Sequence, residues 1–173
     1  MRDISLSLCY NEYMESKIIK TCFIGHRNIV ENEKIINKLT TIIENQILNS
    51  CTNFLIGSHG RFDSLSLYVC KKLKAKYPYI NIEVIFTNLN FLKKDRDGFA
   101  ISELYRDIKT LIYEIEGTHY KNRITLSNKK MIDECETLIC YVDEKIKKSG
   151  AKKAMLYAQK KGLKIINIFN DFI

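Results

Sequence analysis

From about residue 17 onward, short apolar runs alternate with stretches of helical spacing. Ile18-Ile19-Lys20-Thr21-Cys22-Phe23-Ile24 is a compact run ending at Gly25, which reads as a buried strand. Ile35, Ile36, Leu39, Ile42, Ile43 and Ile47 then recur at the period of one helix face, with Glu31 and Glu33 near the positive end of its dipole. Residues 53–56 form a second apolar run, ending at Gly57. Leu65, Val69 and Leu73 mark a second helix that must stop before Pro78, which cannot continue it. Residues 80–86 read as a third strand. The stretch 87–128 is less regular, with a charged turn over 93–98 and a helix predicted over 101–115. A short helix over 129–134 leads into a strand over 137–142. A helix over 151–161 closes at Gly162, the residue type that a left-handed cap favours, and a last strand covers 164–168.

Strands alternating with helices predict an α/β fold: a three-layer α/β/α sandwich around a mostly parallel sheet of about five strands. Residues 18–173 then form one domain, and residues 1–17 a weakly patterned extension. A chain of 173 residues suits this, being long enough to bury roughly 70% of its unfolded surface. In such sheets ligands sit beyond the carboxyl ends of the strands, where the topology switches. The residues that follow each strand are therefore the ones to inspect.

Three strand ends carry chemistry. Gly25-His26-Arg27 follows the first; the glycine allows a sharp turn, and the arginine can bind phosphate or carboxylate through two parallel bonds. Gly57-Ser58-His59-Gly60-Arg61-Phe62-Asp63 follows the second, and its two glycines can expose backbone amides beside a helix start, an arrangement suited to anions. Asp63 can cap that helix, accept from a sugar hydroxyl or act as a base. Ser149-Gly150 precedes the helix after the fourth run and offers a cap with a second set of free amides. The glycine pattern is neither Gly-x-Gly-x-x-Gly nor a Walker loop, so neither a nicotinamide cofactor nor triphosphate hydrolysis follows from it. No histidine pair has metal-ligand spacing, and no nucleophile elbow occurs.

Composition adds limits. The six cysteines include no Cys-x-x-Cys pair and sit mostly in apolar runs, as small buried hydrophobes do. No run of eighteen apolar residues suggests a membrane span, and the first residues do not resemble an export signal, so a cytoplasmic location is expected. The net charge of +8 gathers near the C-terminus, in Lys145, Lys147, Lys148, Lys152, Lys153, Lys160, Lys161 and Lys164. Without interleaved aromatic residues to stack bases, those lysines read first as a solvated face.

The motifs together resemble a known family. Residues 22–27, then 54–63 with Gly57, Gly60, Phe62 and Asp63, then Asn128 with Met131 and Asp133, then the helix over 154–162, follow the order and spacing of the YpsA-like family of the SLOG superfamily. The resemblance covers roughly residues 20–169. It implies a Rossmann-like fold and the binding, sensing or processing of nucleotides or nucleotide-derived ligands. It adds Asn128 and Asp133 to the candidate site. Two departures stand out. Ser127 occupies a place where the family often has arginine, with Arg123 nearby. Relative to the sister Lonely Guy phosphoribohydrolases, Ser64 falls where those enzymes carry a glutamate, so their hydrolysis does not carry over. DNA-processing protein A is another relative of this superfamily.

The expectation is therefore binding of a phosphate-bearing, nucleotide-like ligand, with no obligatory cofactor and no metal. Its contacts would be Gly25, His26, Arg27, Gly57, Ser58, His59, Gly60, Phe62, Asp63, Asn128, Asp133, Ser149 and Gly150. A hydrolase acting on an N-glycosidic or phosphoester bond, with Asp63 or Glu116 as base, is the first alternative, and whether the chain is an enzyme stays open. A nucleic-acid partner is the second, and self-association is compatible with either.

Overall fold

The structure, a computed structural model, describes residues 18–30, 32–87, 105, 108–112 and 117–172. The extension over 1–17, the charged turn over 93–98, Cys9 and Glu116 lie outside the described residues. The described elements are β1 (Ile19–Gly25), α1 (Glu33–Leu48), β2 (Cys51–Ile56), α2 (Arg61–Lys76), β3 (Asn81–Phe86), β4 (Lys109–Ile112), α3 (Tyr120–Asp133), β5 (Thr137–Tyr141), α4 (Gly150–Lys160) and β6 (Lys164–Asn167), followed by a 3-10 turn over Ile168–Phe172.

All six strands are parallel, in the order β4-β3-β2-β1-β5-β6. From β1 the chain winds outward through β2 and β3 to β4, then returns to place β5 on the other side of β1. The switch point therefore lies between β1 and β5, where Ile24 pairs with Cys140 and Gly25 with Tyr141. The period-2 alternation of strands sends Phe23, Phe54, Ile56 and Phe86 to one face, against Ile35, Leu39 and Ile43 of α1 and Leu65 and Val69 of α2. Cys22, Ile24, Leu55 and Leu138 point the other way, against Met131 and Ile132 of α3 and Ala154, Met155 and Ala158 of α4. The result is the expected three-layer sandwich.

Local chemistry sets the element ends. Asn32 caps α1 by accepting from the Ile35 amide at 2.9 Å. Helix α2 ends at Lys76, ahead of Pro78. Gly162 has φ +82°, the left-handed cap anticipated for the end of α4. The described cysteines, Cys22, Cys51, Cys70, Cys135 and Cys140, are all buried and unbridged.

Two elements differ from the sequence reading. The helix predicted over 101–115 is contradicted at its end, where Lys109–Ile112 is a strand, and this raises the count to six. A four-residue stretch shows too little period to tell strand from helix. Main-chain pairing to β3 decides it. The buried Glu83 lies opposite Lys109 and accepts from its Nζ at 2.7 Å, which pins the register. Helix α3 begins at Tyr120, nine residues before the predicted 129–134 segment. Its inward positions include Ser127 and Asn128, which line a cavity rather than core, so the apolar period is broken there.

Candidate ligand-binding site

The carboxyl ends of β1 and β2 are locked together before any ligand is considered. Gly25 passes directly over Phe62 of α2: a Cβ there would lie 2.5 Å from the ring. Gly60 is pressed against the next loop, with a would-be Cβ 3.2 Å from the Arg27 Cα. The Arg61 amide donates to Arg27 O at 2.9 Å, and Arg27 Nε donates to His59 O at 3.3 Å. The two glycine turns thus touch through backbone, which requires the absent side chains.

His26 ties the same turn to the far side of the switch point. Its own amide donates to Tyr141 O at 3.1 Å. Its Nε2 accepts from the Asp143 amide at 2.8 Å, so the ring proton of the neutral form sits on Nδ1, facing Ser149 Oγ at 3.4 Å. Ser149 Oγ in turn accepts from the Lys152 amide at 3.2 Å and caps α4. Burial lowers the His26 pKa, with Asp143 opposing, which agrees with a neutral ring that accepts at Nε2.

Asp63 holds the second turn from within. Its Oδ2 accepts from the His59 amide at 2.9 Å and the Gly60 amide at 3.0 Å. This is half of a capping box, because Gly60 has no side chain to return the bond. Burial pushes the Asp63 carboxyl up to about 6, against the downward pull of those two amides. His59 is also shifted down, first by burial and then by the Arg27 charge, and its Nε2 lies 2.7 Å from Thr87 Oγ1.

These loops and the α3–α4 pair enclose a cavity of about 370 Å³. The expected residues Gly25, His26, Arg27, Gly57, His59, Gly60, Asp63, Asn128, Ser149 and Gly150 all line it. Ser58, Phe62 and Asp133 do not. Ser58 Oγ donates to Ile85 O at 2.9 Å. Phe62 is fully buried beneath Gly25. Asp133 is exposed, pairs with Lys161 at 2.8 Å and accepts from Tyr157 Oη at 2.9 Å, steadying a ring that does line the cavity. Its carboxyl is held low by the hydrogen bond from Lys161.

The expectation for the second turn changes in one respect. The Gly60 amide, anticipated to face phosphate, is already spent on Asp63. The orphan amides lie instead at the start of α4, where Gly150 and Ala151 have no helical partner and both line the cavity. Lys153, Lys129 and Tyr157 also line it and were missed, since each reads as part of a solvated helix face. Ile24, Ile124 and Ala154 supply apolar wall. The lining thus combines three cations with one carboxylate and a helix amino end. Among the described residues no cluster of histidine, cysteine or acid could hold a metal ion.

Neither the protein-family models nor the curated proteins compared with the chain match it. A solved structure does. DNA processing protein A from Helicobacter pylori, described for its mode of binding single-stranded DNA, superposes with a TM-score of 0.59 at 18% identity. The fold is Rossmann-like. The similarity covers 85% of this chain but 63% of the other, and at this identity it speaks for architecture alone. Among the described residues no helix is long and apolar enough to cross a membrane.

Proposed function

We propose that the cavity binds a nucleotide or nucleotide-derived ligand, with its phosphate at the amino end of α4. One observation carries this reading: Arg27, Lys129 and Lys153 converge with the free Gly150 and Ala151 amides on a cavity that also has an apolar stretch of wall. Oriented amides and the helix dipole favour an anion there, and nearby cations strengthen it. Ile24, Ile124, Ala154 and the Tyr157 ring suit the uncharged part. The cavity volume falls at the lower end of the range for small-molecule sites, which suits a ligand no larger than a mononucleotide or a compact derivative. The order of the sequence motifs supports membership of the YpsA-like branch of the SLOG superfamily.

Isothermal titration with nucleoside mono-, di- and triphosphates tests the reading. Binding is expected, and Lys153→Ala or Arg27→Ala each weakens it by about tenfold or more, the loss of one charge-assisted contact. No binding by any nucleotide, with the circular dichroism spectrum intact, would overturn it.

The structural neighbour described for single-stranded DNA binding supports a second reading, a nucleic-acid partner on the lysine-rich surface around α4. Lys145, Lys147, Lys148, Lys160 and Lys164 are all exposed there.

A further inference from the structure

Asp63 is only half used by the fold. Its Oδ2 is bonded twice, to the His59 and Gly60 amides. Its Oδ1 has no hydrogen bond among the described residues, and no fully enclosed side-chain oxygen there lacks a partner, so Oδ1 opens onto accessible space. Asp63 is among the residues that line the cavity. The carboxylate reaches this place because Gly57 has no side chain: a Cβ there would lie 3.0 Å from Oδ2.

An accessible carboxylate oxygen that the fold leaves unbonded takes its donors from water or from a ligand. Arg27, the cavity cation on the adjoining turn, donates through Nε to His59 O rather than to Asp63. Asp63 stands in the first turn of α2, which follows β2, and the amino end of α4 follows β5, with β1 between the two strands. Two strand spacings separate the ends of β2 and β5 by about 10 Å. A sugar phosphate can bridge such a span, with its phosphate at α4 and its hydroxyls at Asp63. On α3, the buried Ser127 lines the same cavity, which adds a second polar group for the same sugar.

We propose that Asp63 Oδ1 accepts hydrogen bonds from a vicinal diol, so that the site takes ribonucleotides in preference to deoxyribonucleotides. The proposal rests on the nucleotide reading above and deepens it. A carboxylate that serves only as a helix cap gives no such preference.

The test is titration of the intact chain with the four ribonucleoside 5′-monophosphates and their 2′-deoxy and 2′,3′-dideoxy counterparts. The 2′-deoxy series is expected to bind more weakly than the ribo series, and the dideoxy series about tenfold to a hundredfold more weakly, the loss of hydrogen bonds to a charged acceptor. Asp63→Asn is expected to keep the loop, since its carbonyl can accept from the two amides, and to bring the ribo-to-dideoxy ratio close to one. Equal affinities for the ribo and dideoxy series in the unaltered protein would overturn the diol preference and leave the nucleotide reading standing. Discrimination that persists in Asp63→Asn would remove Asp63 as the acceptor. Absence of binding by all three series would overturn the nucleotide reading itself, and this proposal with it. Should Asp63→Asn fail to fold, the comparison in the unaltered protein still decides.

Discussion

At the scale of single residues, Asp63 serves the loop at a cost to stability. Its carboxyl is pushed up to about 6 in the fold, against about 3.9 in an unfolded chain. The folded state therefore holds this proton more tightly. Its contribution is most favourable below about pH 4 and declines as pH rises through 6, to a penalty on the order of 3 kcal/mol at neutrality. Asp63→Asn removes the buried charge, so melting curves should show the variant gaining on the parent between pH 4 and 7 and levelling above that. A difference that does not change with pH would contradict the burial argument. His26 has the opposite sign. Burial lowers its pKa, so as pH falls below the ordinary histidine value the unfolded chain takes up this proton first and stability declines; the folded Nε2 stops accepting from the Asp143 amide only when it is itself protonated at lower pH. Gly25 is a purely steric case. Gly25→Ala would drive a methyl into the fully buried Phe62 ring, and urea unfolding should show a loss of about 1–3 kcal/mol.

At the scale of elements, the cavity depends on α4 starting where it does. Ser149 caps it, and His26 holds Ser149 against β1. Ser149→Ala should cost about 1 kcal/mol by urea titration and also weaken nucleotide binding, because the Gly150 and Ala151 amides lose their anchor. Loss of stability with unchanged affinity would separate the cap from the site. The elements that sequence made legible are those with strong apolar contrast. β1 and β2 are dense runs ending at glycine, and their turns could be read as a pair. α3 was obscured because its inward face carries Ser127 and Asn128 toward a cavity instead of leucine toward a core. β4 was obscured because four residues carry almost no period, and its partner β3 is distant in sequence. Lys153 and Tyr157 stand four residues apart on α4, on a helix rich in lysine. Only the packing of α4 against α3 and β1 turns that stripe into a cavity wall.

At the scale of the whole molecule, the two proposed partners make different demands on charge. A nucleotide in the cavity meets three lining cations, and its affinity should fall only moderately with salt. A single-stranded oligonucleotide on the surface lysines would release many counterions, so its affinity should collapse between low and physiological salt. A flat salt response would remove the nucleic-acid reading. The +8 net charge serves either partner and so does not choose between them. The topology speaks more directly, since the cavity opens at the switch point between β1 and β5, where α/β sheets hold their ligands. The most direct measurement is a crystal structure of the protein grown with the ribonucleoside monophosphate that binds best in titration. The phosphate should lie about 3 Å from the Gly150 and Ala151 amides and near Lys153, with the sugar toward Asp63. A nucleotide bound elsewhere, with only water between Gly25, Gly60 and Gly150, would contradict the account.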